Sequence, residues 1–194
     1  MYPQWRVTGV SCHHLLIYIM IKKIGLLLFA GLALTACEKE LHDLSMSRMP
    51  YVGNELRTDG YYYSDISDDD EPTAGLIVLY RNGVCMKMFL GGVRDADNKN
   101  IEKYLLDKDF MAKFWNRPDQ VGVFRINKNR FEMEIWQKFW DTITYSYWGE
   151  ILNNTTLLIK EMRNNDSGKT FVQKHYYYFK PFAHKPDSTN NFIK

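Results

Sequence analysis

The fold is decided by residues 76–90, which read LIVLYRNGVCMKMFL. Two apolar runs flank Asn82-Gly83, and an Asn-Gly pair between such runs is the strongest short-range signal for a β-hairpin. The stretch therefore predicts two antiparallel strands, 76–80 and 84–90. Within the second strand, Cys85 is expected to be a small buried hydrophobe and not a reactive thiol.

The same pattern of short strands and tight turns continues on both sides of this hairpin. Further strands are predicted at 57–64, 121–127, 130–138, 142–149, 155–162 and 169–180. Antiparallel neighbours suit such short connections, because parallel strands need long crossovers. We therefore predict a mostly β chain that forms an antiparallel β-barrel of about eight strands, in which closure removes the sheet edges. A β-sandwich is the alternative.

One helical segment interrupts the strands after the hairpin. Apolar residues recur at helical spacing over 101–115, from Ile101 through Met111 to Trp115. Asp107 can begin a second short piece, and Pro118 closes the region. We expect one inserted amphipathic helix, or two short pieces, that lies across the sheet or plugs one end of the barrel.

Residues 20–37, MIKKIGLLLFAGLALTAC, indicate where the protein resides. Two lysines precede an apolar run of about 11 residues, within the roughly 7–15 of a signal peptide and short of the roughly 20 of a spanning helix. The order Leu34-Thr35-Ala36-Cys37 resembles the lipobox of a bacterial lipoprotein. The resemblance implies that Cys37 receives a diacylglyceryl group, becomes the mature N-terminus and anchors the protein in a membrane. Glu38 after the cysteine implies the outer membrane.

These signals divide the chain into five expected parts. They are an upstream mis-start (1–19), the lipoprotein signal peptide (20–36), a tether (37–56), the barrel domain (57–180) and a polar C-terminal tail (181–194). Residues 1–36 hold three of the 25 basic residues and no acidic one, so 22 basic residues remain against 23 acidic ones. Nucleic-acid binding needs a clustered basic face, so no nucleic-acid partner is expected.

Two motifs extend the comparison to a fold family. Asp59-Gly60-Tyr61-Tyr62 and residues 148–157, WGEILNNTTL, are similar to small lipocalin-like lipoproteins of Gram-negative bacteria. The resemblance covers 57–180 and implies a barrel whose interior binds a small apolar or amphipathic ligand. The chain departs from the pattern in two places: lipocalins open with Gly-x-Trp where this chain has Gly60-Tyr61-Tyr62, and their helix follows the barrel.

The side chains expected to line that interior are apolar or aromatic and lie on four predicted strands. They are Tyr62, Met86, Met88, Phe131, Met133, Ile135, Tyr145 and Tyr147. Tyrosines on both faces of several strands leave a second interpretation open, an accessory lipoprotein that docks an envelope protein or a glycan through an outer aromatic face.

Motifs for catalysis or metal binding do not stand out in this sequence. The histidines after Cys37 are His42, His175 and His184, and no pair of them has metal-ligand spacing. The acidic run over 65–72 is interpreted as a solvated loop and not as a calcium site. We therefore expect a non-catalytic binding protein with no cofactor and no metal.

Overall fold

A computed structural model of the protein describes residues 43–68, 71–91, 98–138, 142–190 and 192–193. The strands, in chain order, are β1 (Gly60–Asp68), β2 (Glu71–Leu79), β3 (Val84–Gly91), β4 (Val121–Asn127), β5 (Arg130–Lys138), β6 (Thr142–Asn153), β7 (Thr156–Asn164) and β8 (Thr170–Pro181). Each strand pairs with the next, and β1 pairs antiparallel with β8, so the sheet closes into a barrel. The predicted antiparallel barrel of about eight strands is confirmed, and the β-sandwich alternative is wrong.

The predicted Asn-Gly hairpin is the connection between β2 and β3. Tyr80 N donates to Val84 O at 3.0 Å, and Gly83 N donates to Tyr80 O at 2.9 Å. Gly83 has a φ of 86°, in the left-handed region that glycine adopts without steric cost. A Cβ at this position would also collide with the backbone oxygen of Met49. Gly83 therefore shapes the turn and admits the chain segment that precedes the barrel.

Strands β1 and β2 are longer than the sequence pattern predicts. Ser67 opposes Pro72 and Asp68 opposes Glu71 in their ladder. Ladder hydrogen bonds join backbone groups, so an antiparallel hairpin can extend through residues of polar composition. The acidic loop predicted over 65–72 is therefore wrong for these residues, and 69–70 lie outside the described residues.

Two apolar cores lie on opposite faces of the sheet. The first fills the barrel and takes buried side chains from all eight strands. The second lies outside the barrel, where α1 (Asn98–Leu106) and α2 (Lys108–Trp115) cover β1 to β4 with Ile101, Leu105 and Met111. Burying one such side chain contributes about 1.5–3 kcal/mol, which holds the helices on the sheet.

The inserted helical segment is two pieces, as the position of Asp107 allowed. The Asp107 carboxylate accepts hydrogen bonds from the backbone N–H groups of Asp109 and Phe110, at 3.0 Å each. These bonds satisfy two donors at the start of α2 that have no partner inside the helix. Neither of the two described helices is long and apolar enough to span a membrane.

Segments on both sides of the strands pack against the barrel. Leu56 is fully buried, and Tyr51 N donates to Arg81 O at 2.8 Å. Phe182 N donates to Asp59 O at 3.1 Å, and Lys185 Nζ donates to Leu79 O at 3.0 Å. Parts of the segments assigned to the tether and the tail therefore belong to the folded unit. Cys37 and the predicted signal peptide lie outside the described residues.

Candidate functional site

Six of the eight side chains predicted to line the interior lie inside the barrel. Tyr62, Phe131, Met133, Ile135, Tyr145 and Tyr147 all belong to the interior core. Met86 and Met88 belong to the outer core beneath the helices, so their assignment to the interior is wrong. Side chains alternate along a strand, and β3 directs Cys85 and Lys87 inward. Because the helices bury the outer face of β3, apolar residues occur on both faces of this strand. The sequence pattern therefore does not indicate which face points into the barrel.

One end of the interior is closed by the segment that enters before β1. Tyr51 packs edge-to-face on Phe124 with ring centroids 5.7 Å apart. Its hydroxyl accepts a hydrogen bond from Leu56 N at 2.8 Å, and the Tyr62 hydroxyl donates to Arg57 O at 3.0 Å. This end, which we call the closed end, is therefore an apolar core whose tyrosine hydroxyls are satisfied by backbone groups.

The other end of the interior carries buried polar side chains, and we call it the polar end. The Tyr147 hydroxyl donates to Gln137 Oε1 at 3.0 Å within the buried interior. Asn164 Nδ2 donates to the Tyr145 hydroxyl at 3.3 Å. Buried polar groups stabilise a structure when they are hydrogen-bonded to one another, as these two pairs are.

Lys87 is a buried cation at the polar end. The residue is 3 % exposed, and its Nζ lies 3.4 Å from the Phe89 ring centroid and 4.9 Å from the Tyr147 ring centroid. Burial lowers the pKa of the Lys87 ammonium from 10.5 to about 7. Among the described residues no carboxylate pairs with Lys87. Two aromatic faces, instead of an anion, therefore surround this amine.

A cleft lies beside the end of β3, directly after Lys87 in the chain. Strand β3 pairs with β4 through Val84, Cys85 and Met86, and one further bond runs from Lys87 N to Gln120 O at 2.9 Å. Gln120 reaches this position with a φ of 78°, and its N–H donates to Trp136 O at 2.6 Å. Beyond Lys87 the described part of β3 makes no further pairs with β4, and the cleft lies beside this unpaired end.

The cleft has a volume of about 260 Å³. Its lining residues are Met88, Phe89 and Leu90 of β3, Phe110 and Phe114 of α2, and Arg117, Asp119 and Gln120 of the loop before β4. The wall is thus apolar on the helix side and polar at the loop. Arg117 and Asp119 form a bidentate ion pair, with Nε to Oδ1 at 3.1 Å and Nη2 to Oδ2 at 2.9 Å.

The residues that define this cleft were largely missed by the sequence analysis, which selected Met88 alone among them. A signal was present at Lys87, because one charged residue interrupts an otherwise apolar strand. In a strand with one solvent-exposed face, a lysine indicates the exposed face. Here the helices cover the outer face of β3, and Lys87 faces the interior. Phe110 and Phe114 lie within the helical segment predicted over 101–115. Their position beside the end of β3 depends on how the helix packs on the sheet, which the sequence pattern does not indicate.

A second, larger depression lies on the outer face of β5 to β8. It has a volume of about 630 Å³ and is lined by Asn129, Arg130, Trp148, Gly149, Glu150, Lys160, Glu161, Arg163 and Thr170. Glu150 pairs with Lys160 across two strands. The depression therefore combines one indole ring with charged side chains of both signs.

Comparisons with known proteins found no relative from which a function could be inferred. No protein-family model, no curated protein and no solved structure matches the chain. Within the described residues, no group of three or more His, Cys, Asp or Glu side chains is placed to hold a metal ion. The fold defines a class, an antiparallel eight-stranded barrel with a helix pair on its outer face.

Proposed function

We propose that the protein is an envelope lipoprotein that binds a small apolar or amphipathic ligand and does not transform it. In this proposal Cys37 carries the lipid that anchors the protein in the outer membrane, and the barrel presents the cleft beside Lys87 to the ligand. The lipobox-like order Leu34-Thr35-Ala36-Cys37 supports the anchor.

The observation that carries the binding proposal is the separation of β3, after Lys87, from β4 and from the loop before β4. It leaves a cavity of about 260 Å³ between Phe89 and the aromatic side of α2, beside an interior core of fully buried side chains. Ligand pockets are mostly apolar with a few placed polar groups, and drug-sized ones begin at roughly 300 Å³. The cleft has this composition and suits a ligand at the small end of the range.

Native mass spectrometry of the protein released gently from cells tests the binding proposal. We expect an extra mass that is reproducible and disappears on denaturation. The double variant Phe110→Ala, Phe114→Ala removes the aromatic wall and should lose this mass. Phe171→Ala removes an exposed ring on β8 and serves as the matched control. A wild type without extra mass, or a mass retained in the double variant, would contradict binding in the cleft.

The anchor is tested separately by Cys37→Ser. The serine hydroxyl cannot be converted to the thioether, so we expect the variant to leave the membrane fraction while the wild type stays in it. Cell fractionation followed by immunodetection measures this distribution. Unchanged membrane association of the variant would overturn the anchor without bearing on the cleft.

A second candidate function is docking of an envelope protein or a glycan on the outer face of β6 to β8. The 630 Å³ depression around Trp148 favours it, together with the half-exposed rings of Tyr176 and Tyr178 on the outer face of β8. Cross-linking on intact cells with Trp148→Ala and the matched Phe171→Ala variant tests it. A partner that is lost with Trp148 and kept with Phe171 would favour this function.

A further inference from the structure

We infer that the cleft is specific for amphiphiles with an acidic head group, a carboxylate or a phosphate, which pairs with the Lys87 ammonium while the apolar part contacts Phe110 and Phe114. This inference rests on the proposed ligand-binding function and names the chemical class of its ligand.

The charge of the polar end supports an anion. On the strands around Lys87, the described side chains that face the interior include Ser64, Gln137, Tyr145, Tyr147, Asn164 and His175, which lies opposite Ile159 and two residues before the inward Tyr177; none of them is a carboxylate. The acidic residues of β5, Glu132 and Glu134, face outward, where they bond to Arg125 and Ser45. The described interior therefore presents two basic side chains, Lys87 and His175, among neutral dipoles, an arrangement that favours an anion.

The energetics of a buried amine point the same way. A charged group without a counter-ion in a dry interior carries a desolvation penalty of several kcal/mol. Lys87 meets this penalty through ring faces and through release of its proton near neutral pH. An incoming carboxylate or phosphate would supply a counter-ion, and charge-assisted hydrogen bonds are about twice as strong as neutral ones.

Phe89 connects the amine to the cleft. Its ring covers Lys87 Nζ at 3.4 Å, and the same residue lines the cleft opposite the helix. The side chain is 39 % exposed, so the ring has solvent on one side. In the bound state the acidic head replaces this ring at the ammonium, and the Phe89 ring becomes part of the apolar wall.

Matched probes that differ in the head group test the inference. The full chain, held in lipid nanodiscs, is titrated with octanoate, octyl phosphate and 1-octanol by calorimetry. We expect both acids to bind wild type at least tenfold tighter than the alcohol. Lys87→Met removes the ammonium at similar volume and should abolish this preference. Lys174→Met makes the same change of charge at an exposed position on β8 and should retain it. Partition into the lipid differs between the probes but is the same for each probe in every variant, so the preference is measured as its change from wild type to each variant.

A second measurement keeps the test valid if Lys87→Met folds poorly. Lysine Nζ resonances of selectively ¹⁵N-labelled wild type report the protonation of Lys87 directly, and octanoate should shift its resonance to the ammonium position at pH 7.5. Equal affinity for octanoate and octanol, or an unmoved Nζ resonance, would overturn the acidic specificity and leave the proposed function standing. Absence of binding by all three probes would overturn both.

Discussion

The two ends of the barrel interior are built by the same eight strands and bury their polar groups differently. At the closed end, tyrosine hydroxyls bond to the backbone of the entering segment around Leu56. At the polar end, Gln137 and Tyr147 bond to each other, and Lys87 has aromatic rings beside it where an anion would lower its energy. The first arrangement stabilises the fold. The second leaves a buried amine, with no carboxylate partner among the described residues, next to a cleft, and such local departures from optimal stability are typical of binding sites.

The largest effect is expected from opening the closed end with Leu56→Ala. Leu56 is fully buried against the interior core, so the substitution leaves a cavity and should lower the free energy of unfolding by about 2–5 kcal/mol. Urea denaturation measures the change. Leu152→Ala, at an exposed leucine near the same end, is the matched control and should change the value by less than about 0.5 kcal/mol. Similar losses in both variants would mean that segment 51–56 does not close the barrel.

At the polar end, the substitution Lys87→Met is expected to raise the free energy of unfolding. Lys87 has no carboxylate partner in the described part of the chain, so replacing it by an apolar side chain of similar volume removes a desolvation penalty. We expect the free energy of unfolding at pH 6 to rise by about 1–4 kcal/mol, at the expense of acidic-ligand binding. Thermal and urea unfolding measure it. A destabilised variant would show that Lys87 contributes to the stability of the fold instead of lowering it.

The pH dependence of stability sharpens the assignment to Lys87. The unfolded chain retains the lysine proton up to its ordinary pKa of 10.5, whereas the folded protein releases it near the lowered pKa of about 7. The unfolded state therefore binds more protons between these values, and wild-type stability should rise with pH by up to about 1.4 kcal/mol per unit. Urea unfolding from pH 7.5 to 9 measures the slope.

The slope is read as the difference between wild type and Lys87→Met. This difference removes the parallel contribution of Lys185, whose pKa burial lowers to about 8. Burial raises the pKa of Tyr147, so its phenol stays protonated throughout the window. Equal slopes in the two proteins would show that the pKa of Lys87 is the same in the folded and the unfolded protein.

A smaller, local effect is expected from Glu134→Ala. The buried Glu134 carboxylate accepts hydrogen bonds from Ser45 Oγ at 3.1 Å, Met46 N at 2.6 Å and Asn165 Nδ2 at 2.9 Å. It thereby holds the segment whose continuation closes the barrel. Loss of this acceptor should cost about 1–3 kcal/mol and speed amide exchange over residues 43–50. Hydrogen exchange measures this, and unchanged protection there would contradict the role.

The smallest change is expected from Phe89→Ala. Without the ring, water reaches Lys87 Nζ, so the pKa of the ammonium should rise from about 7 toward its ordinary value of 10.5. Because Phe89 is partly exposed, global stability should change little. An NMR titration of the lysine Nζ resonances measures the pKa. An unchanged value would show that the deeper packing around Lys87, and not Phe89, excludes water from it.

The boundaries of the helices and strands show which features can be predicted from neighbouring residues alone. The Asn82-Gly83 turn and the break at Asp107 were predicted because turn geometry and helix capping depend on a few neighbouring residues. The acidic stretch after Tyr63 was predicted as a loop and is largely strand, since ladder partners across a hairpin outweigh local composition.

The β class, the hairpin meander and six of the eight interior side chains could be predicted from the sequence, because alternation and turn signals are properties of short stretches. Tertiary structure decided which face of β3 points inward. The strand is apolar on both faces, and a choice of face that is wrong by one residue exchanges every side chain, as it did for Met86 and Met88. The helix pair made the outer face a second core, and that placed the one charged residue of the strand, Lys87, inside the barrel beside the cleft.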